Sequence, residues 1–157
     1  MLIAAFGVVA FTERKVDPPA EHARLDFVLK NAKGVAVNLA TFKGSPLVIN
    51  FWATYCGPCK AEIPILNDLV AEHRARRLAV IGISYDDAPP DIAKFAEATP
   101  VRYPLLVGLG HEDLMEAYEA DIALPTTWVI RSDGTVVAKH IGPETRAWFE
   151  AQVRAAF

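Results

Sequence analysis

Cysteine, clustered basic residues and long apolar runs are scarce in this sequence, and each shortage excludes a class of protein. Two cysteines in 157 residues are too few for a scaffold held by several disulfides. The net charge of −3, with RARR at residues 74–77 as the densest basic cluster, argues against a nucleic-acid partner. Hydrophobic residues make up 52% and charged residues 22%, which is the composition of a folded globular domain rather than a disordered chain.

The histidines are scattered, so they give the cysteines no partners for a zinc site. A closed zinc site needs four ligands, and the sequence has no second cysteine pair and no two histidines three to five residues apart. The four histidines are His22, His73, His111 and His140. We therefore expect no metal ion in this protein.

The N-terminus is the one stretch with a membrane-related pattern. LIAAFGVVAF at residues 2–11 is too short to span a bilayer but has the length of the apolar part of an export signal, although no Lys or Arg precedes it. We interpret residues 1–20 as the remnant of an export signal or anchor followed by a linker. The alternative is an apolar segment that packs on the domain, which we assign to residues 21–157.

Alternating strand and helix patterns predict an α/β domain with a mixed sheet. LDFVL and VAVNL flank KNAKG, which is typical of a hairpin, and the apolar run PLVINFWA predicts a central strand buried on both faces. Further strands are predicted at LAVIGISY, YPLLVG, TTWVI and TVVAKHI, with helices after residue 56 and at PPDIAKFAEA, EDLMEAYEA and PETRAWFEAQVRAA. We expect the helices to cover both faces of this sheet.

The stretch FWATYCGPCKAEIP, residues 51–64, holds both cysteines at a junction between strand and helix. Cys56 falls at or near the helix N-cap, where free backbone N–H groups and the helix dipole favour a thiolate. Cys59 lies one turn inside the helix, where its sulfur can attack an adduct formed on the first; Gly57 and Pro58 suit the first turn. The alternative is a permanent structural disulfide, but so short a loop would stabilise the fold little.

A carboxylate is predicted on the buried face of the same helix. Helical spacing relates Glu62, Ile65, Leu66, Leu69, Val70 and His73, and Pro64 is expected to kink the helix. Glu62 shares a face with Cys59, three residues earlier, so apolar surroundings would raise its pKa and let it exchange a proton with that thiol. The alternative is a glutamate that faces solvent at the first turn. Asn50, a polar residue within the apolar strand, cannot transfer protons.

These residues carry a resemblance to a known family. NFWATYCGPCKAEIP together with LPTTWVIRSDGTVVAKHIG resembles the TlpA/ResA/CcmG-like thiol-disulfide oxidoreductases of the thioredoxin superfamily, over residues 25–157. The resemblance implies a thioredoxin-like fold, a mixed central sheet flanked by helices, with an N-terminal β-hairpin and a central βα insertion. It also implies that Cys56 is the attacking thiol and Cys59 the resolving one.

The resemblance further implies the surface that meets a substrate. Pro125 would be a cis-proline facing the disulfide, and the backbone of Leu124 would pair with an extended substrate. The residues expected to bind substrate are Trp52, Tyr55, Gly57, Pro58, Leu124, Pro125 and Thr126. Glu62 falls where the family carries an active-site glutamate. The sequence departs from the family where Tyr55 replaces the common Trp, which bears on partner choice.

The function implied by the resemblance is reduction of disulfides in exported proteins. The family suggests apocytochrome c and copper-site proteins as substrates, and a membrane thiol-disulfide electron donor that restores the dithiol. Asn50 stands where cytosolic thioredoxins carry an aspartate, which favours the exported branch and a periplasmic or extracytoplasmic location, with the N-terminal segment as a candidate anchor. We expect a monomer with no cofactor beyond the redox-active disulfide Cys56–Cys59.

Two other functions are compatible with a pair of thiols. A peroxiredoxin-like peroxidase would carry a Pro-x3-Thr-x2-Cys pattern, but the matching positions are Ile49 and Ala53. A thiol-based metal-binding module could hold Cu(I) on two thiolates, but no Met or His accompanies the pair. Both remain alternatives to the reductase.

Overall fold

A seven-stranded mixed sheet is the framework of the protein in its computed structural model, which describes residues 21–157. The predicted N-terminal segment, residues 1–20, lies outside the described residues. The strands are β1 (Val28–Asn31), β2 (Ala36–Asn38), β3 (Leu47–Trp52), β4 (Ala79–Ser84), β5 (Leu105–Val107), β6 (Thr126–Ile130) and β7 (Val136–Ile141). Their order across the sheet is β2-β1-β5-β4-β3-β6-β7.

Strand β3 lies in the middle of the sheet, as its apolar sequence predicts. It pairs in parallel with β4 and antiparallel with β6, and all six of its residues are buried. The predicted hairpin is β1 and β2, which joins the sheet through antiparallel pairing of β1 with β5. The prediction of a mixed sheet is confirmed, and the chain leaves its central strand directly into the cysteine motif.

Helices cover both faces of the sheet. They are α1 (Gly57–Glu72), α2 (Pro89–Ala98), α3 (Glu112–Ala117) and α4 (Arg146–Ala155), with short 3₁₀ turns at Leu39–Phe42 and Arg74–Arg76. One core cluster joins Leu66 of α1 and Phe149 of α4 to Val48 of β3, while Leu114 and Met115 of α3 belong to the cluster on the other face. Within residues 21–157, no helix has the length and apolar character needed to cross a membrane.

The buried face of helix α1 differs from its sequence-based prediction. The helix includes Pro64 in its interior. Its buried positions are Cys59, Glu62, Ile63, Leu66, Asn67 and Leu69, whereas Ile65, Val70 and His73 are only half-buried. The buried face is wider on the side of Asn67 because that side chain is bonded to the loop after α2. It donates to the carbonyl of Pro100 at 2.8 Å and accepts from the N–H of Arg102 at 2.7 Å.

The start of α4 is fixed by one arginine. The Arg146 guanidinium contacts Asp68 at 2.8 Å and Glu72 at 2.5 Å, both on α1, and also Glu150 at 2.6 Å. Each pair is largely exposed, so each contributes little to stability by itself. Together they orient the segment that joins β7 to α4 beside α1, and the next contact of that segment is with Glu62.

Candidate active site

The two cysteines form a disulfide at the N-terminus of α1, where the sequence predicts them. Their Cα atoms are 5.3 Å apart, and Cys56 is the N-cap residue whose sulfur accepts the N–H of Cys59 at 3.3 Å. Pro58 lies in the first turn, as expected for a residue that lacks an N–H. Cys56 is half-buried and Cys59 is fully buried. Only the first sulfur is therefore within reach of a partner molecule.

The loop before β6 meets the disulfide from the other side of the site. The Leu124–Pro125 peptide bond is cis, which confirms that prediction. The hydroxyl of Thr126 closes the loop by donating to the carbonyl of Ala123 at 2.7 Å. Cys56 and Leu124 both pack against one small apolar cluster, formed by Trp52, Cys59, Ile92 and Val107. The structure thus brings together two motifs that are about 70 residues apart in sequence.

The expected substrate-binding residues divide by depth. Tyr55, Gly57 and Pro58 are exposed, with 65% of the surface of Tyr55 accessible, and Leu124 is half-buried. Trp52 and Thr126 are buried, at 2% and 1% exposure, and Pro125 is buried too. The buried side chains support the surface from below and the exposed ones form it.

Glu62 is buried one helical turn beyond Cys59 and is held by two donors. The residue is only 2% exposed. One carboxylate oxygen accepts from Asn50 Nδ2 at 3.0 Å, and the other accepts from the backbone N–H of Glu144 at 2.9 Å. Asn50 also donates to Thr127 at 3.0 Å, which fixes the amide. Burial, helped by the nearby charge of Glu144, raises the pKa of Glu62 to about 6 against the lowering effect of the two hydrogen bonds. Such a carboxyl can both hold and release a proton near neutral pH.

A glycine in β4, the strand beside Asn50, leaves room for the rings of Trp52 and Tyr103. Gly82 of β4 pairs with Asn50, and a Cβ at this position would lie 2.8 Å from Leu105, 3.1 Å from Trp52 Nε1 and 3.2 Å from Tyr103. Trp52 Nε1 is buried without a hydrogen-bond partner in the described part of the chain. A larger residue at this position would have to displace the side chains of Leu105, Trp52 and Tyr103.

A second network, which sequence reasoning missed, holds the loop that leads into the motif. Asp87, 6% exposed, accepts from the N–H of Thr54 at 2.8 Å, from the Thr54 hydroxyl at 2.5 Å and from Ser84 at 2.6 Å. Its neighbour Asp86 accepts from the Tyr55 hydroxyl at 2.7 Å, and this bond raises the pKa of Tyr55 to about 12. The signal available in the sequence was an acidic pair just after a buried strand, at the edge where α/β sheets place their sites.

The positions that a peroxidase or a metal site would use have other roles. Ile49 and Ala53 are fully buried apolar residues, and the hydroxyl of Thr54, the next residue in sequence, donates to Asp87. Among residues 21–157, no three side chains of His, Cys, Asp or Glu are grouped so that they could hold a metal ion. The chemistry that these residues offer is that of the disulfide and of the buried carboxyl of Glu62.

Comparison with known proteins places this geometry in a family. The model of the AhpC/TSA family matches residues 20–139. The thiol-disulfide oxidoreductase ResA of Bacillus thuringiensis subsp. konkukian is 27% identical over 162 residues, covering 98% of this chain and 91% of the relative. ResA of Geobacillus kaustophilus is 27% identical over 158 residues, covering 99% and 90%.

Solved structures agree. A thiol:disulfide interchange protein of the thioredoxin family from Chlorobium tepidum superposes with a TM-score of 0.77 at 26% identity, covering 90% of this chain and 99% of that one. The likeness confirms the thioredoxin-like fold, and the Cys56–Cys59 disulfide stands where a thiol-disulfide oxidoreductase needs it. The chain belongs to the AhpC/TSA family, and it is a ResA-like thiol-disulfide oxidoreductase.

Proposed function

We propose that this oxidoreductase acts as a reductant of disulfides in exported proteins, with Cys56 as the attacking thiol. The observation that carries the proposal is the difference in depth between the two sulfurs. Cys56 is accessible at the helix N-terminus, whereas Cys59 is fully buried with Glu62 one helical turn beyond it. This arrangement suits one thiol that meets the partner and a second that never leaves the protein.

The first step joins the protein to its substrate. The Cys56 thiolate attacks one sulfur of the substrate disulfide, so a mixed disulfide forms, the substrate S–S bond breaks and the other substrate sulfur leaves as a thiolate. The N–H of Cys59 points to the Cys56 sulfur, and the helix dipole favours the thiolate there. The electrons that reduce the substrate come from the Cys56–Cys59 dithiol.

The second step releases the product, and here Glu62 takes its role. Cys59 loses its proton and attacks the Cys56 sulfur, which restores the Cys56–Cys59 disulfide and frees the substrate as a dithiol. Residues three apart on a helix are neighbours, so Glu62 is placed to accept the Cys59 proton. A carboxyl with a pKa of about 6 can take this proton and later return it, when a thiol-disulfide donor reduces the pair. The net transfer from the pair to the substrate is two electrons, and the two substrate sulfurs, which leave as thiolates, take their protons from solvent.

The substrate would lie across the exposed surface of the site. Tyr55, Gly57 and Pro58 form one side of that surface, and the cis-proline loop with the backbone of Leu124 forms the other. An extended substrate segment can pair with backbone groups of such a loop, as in β-strand addition. In this proposal Trp52 and Thr126 act from beneath, by holding the two sides in place.

The direction and the location of the activity rest on the family. Relatives that cover nearly the whole chain are named ResA, and the sequence has Asn50 in the place of the aspartate of cytosolic thioredoxins. We therefore propose an extracytoplasmic monomer that receives electrons from a membrane thiol-disulfide donor. Candidate substrates are the disulfides of apocytochrome c haem sites and of copper-site proteins.

Trapping of the mixed disulfide tests the order of the two thiols. Reduced Cys59→Ser protein, incubated with insulin as a disulfide-bearing substrate, should form a covalent adduct that dithiothreitol releases. The matched control is Cys56→Ser, which should give no adduct because Cys59 is fully buried. Equal trapping by both variants, or none by Cys59→Ser, would contradict the assigned roles.

Equilibration with glutathione tests the direction. The reduction potential of a reductant should lie well below the range of strong disulfide oxidants. A reduction potential above about −150 mV would reverse the proposed direction of electron flow, since strong disulfide oxidants lie near that end of the scale.

A further inference from the structure

Asp87 is a buried carboxylate whose hydrogen bonds join the loop after β4 to the loop after β3. It follows β4 by three residues and is bonded there to Ser84, whose hydroxyl donates to the carboxylate and accepts from the Asp87 N–H. Its other two bonds reach across to Thr54, one to the backbone N–H and one to the hydroxyl. Both of these bonds leave the loop after β4 for the loop after β3.

The bonds from Asp87 end close to the attacking sulfur. Thr54 is two residues before Cys56, so their Cα atoms are at most about 7.6 Å apart. The turn is further closed by the Cys56 N–H, which donates to the carbonyl of Ala53 at 3.1 Å. The adjacent bond from Tyr55 to Asp86 adds a second link on the exposed side. Two consecutive acidic residues thus hold two consecutive residues that lead into the redox pair.

The carboxylate also brings charge to this place. At 6% exposure it is little screened by water, so its field acts on Cys56 through a medium of low dielectric constant. A negative charge disfavours a thiolate, and the dithiol form of a redox pair is stabilised when its thiolate is stabilised. The other titratable groups near the pair include Tyr55 and Asp86 at the surface, and Lys60 and Glu62 within α1.

We propose that Asp87 is a positioning residue of the redox site: it fixes the loop that carries Cys56, and its buried charge biases the Cys56–Cys59 pair toward the disulfide. This inference rests on the proposed function and adds the residue that tunes it. A pair biased toward the disulfide gives up its electrons readily, as a reductant must. The acidic pair after β4 is then part of the redox device, although it lies 31 residues from Cys56 in sequence.

Asp87→Asn tests the charge while preserving the shape. The asparagine oxygen can accept from the Thr54 N–H, and its NH₂ group can donate to the Thr54 hydroxyl, so the network keeps its bonds. The equilibrium constant for reduction of the pair by glutathione should rise about three- to tenfold, and the pKa of Cys56 should fall. The matched control is Asp91→Asn, an exposed carboxylate in the first turn of α2, for which less than about a twofold change is expected.

Thr54→Val tests the same network with the opposite sign. The variant keeps the charge and the backbone bond but removes the hydroxyl that partly neutralises Asp87. Its equilibrium constant for reduction should therefore fall, by about twofold. A role confined to holding the loop would move both variants in the same direction, so opposite shifts support the proposal. Shifts of the same sign, or none in Asp87→Asn, overturn it.

Folding and function are read separately in the same experiment. Far-UV circular dichroism reports whether each variant folds; if Asp87→Asn does not, a fall of the constant in Thr54→Val supports the proposal, and a rise or no change overturns it. Insulin reduction by the wild-type protein, with dithiothreitol as donor, reports the proposed function. If the wild-type protein does not reduce insulin, that function is refuted. The equilibrium constants for reduction of the pair by glutathione would still decide the role of Asp87.

Discussion

Replacement of Glu62 by glutamine is expected to stabilise the oxidised protein at neutral pH while slowing its disulfide exchange. Glutamine is close to glutamate in shape, and its oxygen can accept from the Glu144 N–H as the carboxylate does. The Asn50 amide can turn to accept from the new NH₂ group, with the Thr127 hydroxyl also donating to it. The substitution therefore removes the titration of this site with little change in packing.

The size of the effect follows from the pKa. Burial is the main cause that raises the pKa of Glu62 from 4.5 to about 6. At about 1.4 kcal/mol for each pKa unit, the difference amounts to about 2 kcal/mol. The folded protein keeps this proton to a higher pH than the unfolded chain does. Wild-type stability therefore loses about 2 kcal/mol as the pH rises from below 4.5 to above 6, and the glutamine variant keeps it.

Urea denaturation of the oxidised proteins at pH 4 and pH 8 measures this difference. The free energy of unfolding of Glu62→Gln, relative to wild type, should be about 2 kcal/mol higher at pH 8 than at pH 4. Any constant effect of the altered hydrogen bonds cancels between the two pH values. The matched control is Glu97→Gln, an exposed residue of α2, whose relative stability should change little.

The rate gives the other half of this prediction. Insulin reduction by Glu62→Gln at pH 7 should be slower by about tenfold or more, because the substitution removes the proposed proton acceptor of Cys59. A relative stability that is the same at pH 4 and pH 8 would refute the raised pKa. A full rate of insulin reduction in the variant would refute the role of Glu62 in proton transfer.

Three further predictions concern the surroundings of the pair. Asn50→Asp places a second carboxyl within 3.0 Å of Glu62. Because the two carboxylates repel each other, the free energy of unfolding of the variant should fall more steeply than that of wild type between pH 5 and pH 8, by at least about 1 kcal/mol in urea denaturation. Equal pH dependence of the two proteins would contradict this. Gly82→Ala should cost about 1–3 kcal/mol of stability in the same assay, because its Cβ would lie 2.8 Å from Leu105 and 3.1 Å from Trp52 Nε1; an unchanged midpoint would show that the side chains yield freely. The reduced wild type should consume hydrogen peroxide no faster than a small dithiol of equal concentration, and a much faster rate would restore the peroxidase alternative.

The parts of the site that the sequence predicts correctly are those set by local chemistry. Cys56 at the N-cap and Pro58 in the first turn depend on three or four consecutive residues, and the burial of Glu62 follows from helical spacing. The apolar run of β3 likewise identifies a central strand. The cis bond before Pro125 came from the family resemblance and not from the residues themselves.

What the sequence could not predict depends on contacts between distant segments. Nothing in the spacing around Glu62 indicates that the backbone of Glu144, 82 residues later, donates to it. The bonds of Asp87 to Thr54 span 33 residues. Asn67 was missed as a buried residue because its partners lie in the loop after α2. Helical periodicity identifies the apolar face of a helix. It does not identify a polar side chain at the edge of that face that is buried by its own hydrogen bonds.

The contact between Glu62 and Glu144 has a consequence for the order of events during folding. The two cysteines are three residues apart, so they can pair in a nascent chain as soon as the first turn of α1 exists. The surroundings of Glu62 are completed only when the chain beyond β7 returns to α1, because the N–H of Glu144 donates to Glu62. A nascent chain can therefore form the Cys56–Cys59 disulfide before the surroundings of Glu62 are complete, and these form with the segment that leads into α4. Completion of the fold is therefore indicated by the hydrogen bonds of the Glu62 carboxyl and not by the presence of the disulfide.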